Sequence, residues 1–361
     1  MVSAFDPIEI RGIKLRNRFI RSATNESLAG EKGEVTDRLL NFYKPLAKGG
    51  IGLIIPGYSY ILPEGQSSFR QSGIYDDFFI DGYRKLVNVI KSDEAKTFLQ
   101  IVHGGHQSNP ELTGLPVWSP SIIKSRITNK YEREMDDEKI QEVINSFIQG
   151  ALRAKAAGFD GVQLHIAHGF LLSNFISPYT NRRKDKWGGS TQNRCRIIKE
   201  IIEGIKSECD LDFPIAIKLN CEDGVSGGMD LSEGVRVAVE ISKCGIDLIE
   251  VSGGIREAAG FAVRPNITSE DKEAYFSESA RLVKQATGKP VALVGGIRSI
   301  KIINHLLENN ICDLISMSRP FIREPDLLNR FKNKEKNVAD CISCNNCFSK
   351  EGTHCSQLKN D

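Results

Sequence analysis

Two histidines three residues apart close an apolar run: His165 and His168 stand in GVQLHIAH, residues 161–168. At the end of a strand two neutral imidazoles can donate hydrogen bonds to one anionic or carbonyl oxygen. The same pair suits a divalent metal, with Glu222 or Glu250 as a third ligand. A second reactive group lies near the end of the sequence, where Cys341, Cys344, Cys347 and Cys355 follow the spacing C-x2-C-x2-C-x7-C. Four thiolates this close suit an iron-sulfur cluster or tetrahedral zinc. Lys218 sits inside the apolar run PIAIKLN, where an unpaired buried ammonium would be costly, so a role for its charge is expected. Gly295 with Gly296, and Ser318 with Arg319, end two further apolar runs. They offer backbone N–H groups and a cation to a phosphate.

These side chains need a scaffold that brings strand ends together. Eight short runs rich in Ile, Val and Leu, at 18–24, 52–58, 97–103, 161–168, 214–220, 247–253, 290–296 and 313–319, have the length of buried parallel strands. Helical patterns separate them, at 36–48, 77–91, 136–157, 192–208, 231–244, 276–286, 299–308 and 325–333. The third is the clearest, with Ile140, Val143, Ile144, Phe147, Ala151 and Ala154 at helical spacing. Eight βα units predict an α/β fold, the (β/α)8 TIM barrel, whose chemistry sits at the carboxyl ends of the strands. The connection 104–135, rich in Pro, Ser and charge, is a candidate active-site loop.

Composition narrows the function classes. Of 361 residues 40% are hydrophobic, enough for a sizeable core, and 48 Lys and Arg against 46 Asp and Glu leave a net charge of +2. So even a balance argues against a nucleic-acid partner. No stretch approaches the roughly 18 apolar residues of a spanning helix, and the amino terminus has no apolar targeting core, so a cytoplasmic protein away from the membrane is expected. Nine cysteines, five scattered and four clustered, suggest reduced thiols and a metal site rather than disulfides.

The stretch HIAHGFLLSNFISPYTNRRKDKWGGSTQNR, residues 165–194, resembles the signature of the Old Yellow Enzyme family of NADH:flavin oxidoreductases. Two histidines there open a segment with F-[LI]-S-P, N-x-R, D-x-[YW]-G-G-S and N-R. The likeness extends from the opening FDPIEIRGIKLRNRF, similar to that family's amino-terminal hairpin and first strand, to RPFIREP after the eighth strand. The resemblance implies an FMN-binding barrel over residues 1–335, with a short amino-terminal hairpin, and a Cys-rich tail over 336–361.

It also implies roles. FMN would lie across the barrel mouth against Ala23, Thr24, Asn25, Gly57 and Gln100, with Lys218 beside the reduced flavin's anionic edge. Its phosphate would fall on Gly295, Gly296, Ser318 and Arg319. NADH or NADPH would reduce the flavin, which would pass hydride to an alkene conjugated to a carbonyl held by His165 and His168. Where many members carry a tyrosine as proton donor, this chain has Phe170, so another acid, Tyr58 or Tyr179, or solvent would be needed. The tail is similar to the 4Fe-4S motif of the trimethylamine dehydrogenase and 2,4-dienoyl-CoA reductase branch, with a shorter last spacing. Three functions follow as expectations: a flavin oxidoreductase acting on a small unsaturated electrophile; an electron-transfer subunit coupling FMN and a cluster to a redox partner protein; and a metal-dependent lyase or hydrolase. Related barrels associate, so a homo-oligomer is expected.

Overall fold

The computed structural model describes residues 2–123, 132–210, 212–258, 260–349 and 351–358. Among them eight strands form a closed ring: β1 (Phe19–Arg21), β2 (Leu53–Ile54), β3 (Lys96–Val102), β4 (Gly161–Ile166), β5 (Ile215–Asn220), β6 (Leu248–Ser252), β7 (Val291–Val294) and β8 (Leu314–Met317). Each pairs in parallel with the next, and β8 returns to β1. Around the ring lie α1 (Asp37–Lys48), α2 (Ile80–Lys91), α3 (Asp137–Ala156), α4 (Arg196–Glu208), α5 (Leu231–Ser242), α6 (Ser277–Thr287), α7 (Ile300–Glu308) and α8 (Leu327–Lys332). The (β/α)8 barrel expected from the pattern is the fold observed.

Local chemistry starts these helices. Thr36, Asp136 and Asp230 accept from the backbone N–H groups of Leu39, Lys139 and Glu233 at 3.2, 2.8 and 2.8 Å, satisfying donors that a helix start leaves open. Each helix then buries one apolar stripe: α4 presses Ile197, Ile198, Ile201, Ile202 and Ile205 onto the sheet.

Inside the ring, side chains alternate with the strand period of two. The lowest inward positions are apolar: Ile20, Leu53, Phe98, Ala216, Leu248, Ala292 and Leu314 form one cluster with Ile10 and Leu15. Those last two belong to an antiparallel hairpin, Ile8–Ile10 with Ile13–Leu15, which plugs the amino-terminal end of the barrel. One step up the same strands the interior turns polar, with Ser22, Gln100, Lys218, Glu250 and Ser316.

Two connections differ from the sequence expectation. The run 52–58 is not one strand but β2 plus a short piece, Ser59–Tyr60, paired with Ile101 and Val102. Pro56 has no N–H to give the ladder, and the Gly57 N–H turns instead to Glu26 Oε1 at 2.8 Å. The expected loop 104–135 carries a parallel ladder, Val117–Ser119 with Glu132–Glu134. Its residues 124–131 lie outside the described residues.

Candidate active site

Glu250, fully buried on β6, is the centre of the polar layer. Its carboxylate accepts from Ser22 Oγ and Ser316 Oγ, each at 2.6 Å, and from Gln163 Nε2 at 2.9 Å. Lys218 Nζ stands 3.5 Å from Glu250 Oε1 and donates to Ser22 Oγ at 2.7 Å. Burial pushes the Glu250 carboxyl up, but Lys218 and the three donors outweigh it and hold it below the usual range. The interior lysine is thus charge-compensated within its own layer.

Above this layer the carboxyl end of β4 carries the histidines. His165 Nδ1 accepts from the Ala167 N–H at 3.3 Å, so its neutral ring carries the proton on Nε2. His168 Nε2 pairs with Ser252 Oγ at 2.8 Å, and the two imidazoles meet edge-on with centroids 5.3 Å apart. His168 has φ +62°, a conformation non-glycine residues rarely adopt. Gln107 Nε2 holds its carbonyl at 2.6 Å. Burial lowers the pKa of both rings, helped by the Lys218 charge: His165 is held well below its ordinary value and His168 down to about 3. Both imidazoles are therefore neutral at physiological pH. Phe170 packs on His165 with centroids 4.6 Å apart, and Tyr58 packs on Phe170 at 5.1 Å.

A cleft of about 360 Å³ opens over these residues and is lined by the ends of several strands. Of the residues expected to bind flavin, Ala23, Thr24, Asn25, Lys218, Gly295, Gly296, Ser318 and Arg319 line it, and so do His168, Phe170 and Tyr58. Gly295 and Gly296 have φ +138° and +72°, and a Cβ at Gly296 would meet the Tyr275 ring at 2.8 Å. Glycine is required there by backbone and space together. Thr24 Oγ1 and Ser318 Oγ lie 2.5 Å apart and tie the β1 end to the β8 end.

His165, Gln100 and Gly57 fall outside the lining. Gln100 Nε2 donates to Gln163 Oε1 at 2.6 Å, while its Oε1 is buried without a partner among the described residues. At Gly57 a Cβ would meet Glu26 Oε2 at 2.1 Å and Thr24 O at 2.7 Å, so this glycine is explained by the close approach of Glu26. Tyr179 is also absent from the lining, and of the loop 104–135 Gln107 reaches it.

The metal ligation expected from the sequence is not shown. Among the described residues no three or more histidine, cysteine or carboxylate side chains are placed to hold a metal ion. Glu250 is committed to Lys218 and its three donors, and His168 to Ser252. In the tail Cys355 Sγ accepts from Arg323 Nη1 at 3.6 Å. Burial first, then Cys341, Cys355 and Cys344, push the Cys347 thiol up to about 11.

Sequence reasoning missed several pocket residues. Arg298 lines the cleft with its Nε buried and without a partner among the described residues, and Ser252, Tyr275, Ser343 and Phe348 line it too. Arg298 directly follows the Gly295-Gly296-Ile297 turn, which was a usable signal. The later part of the histidine-led signature acts behind the site. Asn181 Nδ2 bonds the carbonyls of Phe175 and Trp187 at 2.8 Å, and Arg183 pairs with Asp185 and reaches Met135 O at 2.6 Å. These bonds lock the connection that follows β4.

The model of the NADH:flavin oxidoreductase / NADH oxidase family matches residues 3–337. A NADH oxidase of Thermoanaerobacter brockii is 34% identical over 94% of this chain, which spans 52% of that enzyme's length. A NADPH dehydrogenase of Bacillus licheniformis is 33% identical over 89% of this chain and 91% of its own. An old yellow enzyme homologue of Zymomonas mobilis superposes with a TM-score of 0.81 at 24% identity, over 95% of this chain and 96% of its own, and so shares the fold. The chain spans about half the length of the first relatives it matches. With the family model covering the barrel from hairpin to last helix, the chain belongs to the NADH:flavin oxidoreductase / NADH oxidase family, the Old Yellow Enzyme group of FMN-dependent oxidoreductases.

Proposed function

We propose that this chain is an FMN-dependent NAD(P)H oxidoreductase that reduces an activated alkene or a related small electrophile. The observation that carries this reading is the neutral, buried His168 lining a cleft, with the neutral His165 packed edge-on behind it and the charge-compensated Lys218 in the same wall, the other end of the cleft being Gly295, Gly296 and Arg319. The residues fit FMN: among the described residues Arg298 Nε in the cleft wall and Gln100 Oε1 are a buried donor and acceptor without a partner, and the paired glycines form a cradle that a side chain would fill. Ala23, Thr24, Asn25, Gln100 and Lys218 would hold the ring, with Gly57 shaping the loop behind it, and Gly295, Gly296, Ser318 and Arg319 the phosphate. FMN, when bound, supplies the hydride chemistry between nicotinamide and acceptor.

The chain's own residues orient and polarise. His165 and His168 donate to the acceptor's carbonyl oxygen without changing charge. Lys218 places positive charge at the ring edge, and Glu250 keeps that charge affordable inside the barrel. Phe170 has no proton to give, so the proton for the acceptor's second carbon comes from Tyr58 or from solvent. Tyr58 lines the cleft, and its phenol is pushed up by burial.

Anaerobic titration tests the reading. The purified chain is expected to show flavin absorbance that NADH or NADPH bleaches and an enone restores; a colourless protein that takes up no added FMN would sink it. A second reading, an electron-transfer protein with a cluster on Cys341, Cys344, Cys347 and Cys355, is favoured by the C-x2-C-x2-C-x7-C spacing and by the tail's Ser343 and Phe348 in the cleft wall. It predicts about four irons and four acid-labile sulfides per chain and poor turnover with NAD(P)H and enone alone.

A further inference from the structure

The cysteine-rich tail is built into the cleft. Ser343 and Phe348 line it. Ser343 O accepts from the Asn266 N–H at 2.9 Å, and Thr353 closes on the β1 loop through Glu26 O at 2.7 Å and Asn25 O at 2.8 Å. Between Cys344 and Cys347 stands Asn345, whose amide spans two segments. Its Oδ1 accepts from Arg319 Nη1 at 2.6 Å, and its Nδ2 donates to Val263 O at 3.0 Å. The same Arg319 nitrogen donates to Arg264 O at 2.9 Å.

We infer that Asn345 is a positioning residue for the phosphate end of the cofactor, so that the cysteine segment governs how tightly FMN is retained. The inference rests on the FMN reading above. An arginine side chain is rotamer-rich, and an anion that must order it loses affinity. Here two acceptors hold one nitrogen of the guanidinium before any ligand arrives, leaving its other N–H groups for the phosphate beside Gly295 and Gly296. Asn345 is itself fixed by the bond to Val263 and by a left-handed backbone, φ +62°.

The test uses the full chain stripped of flavin, titrated with FMN and separately with riboflavin, which lacks the phosphate. Asn345→Gly removes the amide and keeps the left-handed backbone without strain. The expected result is an FMN dissociation constant raised about tenfold, the scale of one hydrogen bond to a charged group, with riboflavin binding unchanged. In an Arg319→Gln background the same substitution should add nothing. Equal losses for both flavins would mean Asn345 merely packs the wall and would overturn the inference, as would unchanged FMN binding. Wild-type protein that binds neither flavin would instead fail the cofactor reading itself, and this inference with it.

Discussion

At the scale of the residue, the site depends on keeping two histidines neutral at the barrel mouth beside the Lys218–Glu250 pair. Losing one preorganised donor costs a rate factor of about 10² to 10³, so His168→Ala should lower kcat/KM for an enone by that much while flavin absorbance persists. His168 is held down to about 3 and His103, fully buried, to about 4, both chiefly by burial. Each stays neutral when folded but takes up a proton on unfolding below about pH 6.5. The stability they contribute is therefore complete above pH 6.5 and declines as pH falls toward 4 and 3; urea midpoints measured from pH 8 down to 4.5 should show it. The histidine pair should give no inflection near 6.5 in kcat/KM. Glu250→Gln strips the buried Lys218 of its counter-charge and should destabilise the fold by about 3–5 kcal/mol, read by urea unfolding. The lysine was legible because an apolar run made its charge conspicuous. Glu250 carries the same signal in DLIEVSG, yet in sequence it read as a metal ligand, because the register that sets Lys218 opposite Glu250 and the closure that brings Ser22 and Ser316 to it are written in neither run.

At the scale of the element, the strands and helices were legible wherever periodicity ran uninterrupted, as in α3 and β4. Legibility ended where a bond to a distant residue decided the outcome. The turn of Gly57 toward Glu26 splits the second run, and no pattern within residues 52–58 announces it. The tail is the larger case: its spacing suggested a metal, whereas its asparagine and threonine contacts to the strand ends arise from residues far away in sequence. The hairpin was recognisable by resemblance, but its role as a plug came from the buried cluster around Ile10 and Leu15. Leu15→Ala should cost about 2–5 kcal/mol in chemical unfolding, with FMN affinity unaltered, because the plug and the cleft lie at opposite ends of the barrel.

At the scale of the whole molecule, binding and folding are linked. The cleft is lined by the ends of β1, β5, β6, β7 and β8 and by the tail, so FMN would bridge segments that separate on unfolding. Saturating FMN at about 100 times its dissociation constant should add about 2.7 kcal/mol, seen as a higher melting temperature than that of the stripped protein. No helix among the described residues is long and apolar enough to cross a membrane. The hairpin that stops the barrel's lower end has a kinetic consequence under the proposed chemistry. A vessel corked at its base admits its guests through the mouth, so nicotinamide and electron acceptor must come and go in turn over the same flavin face. Steady-state double-reciprocal plots should accordingly be parallel, with each visitor in excess inhibiting the other competitively.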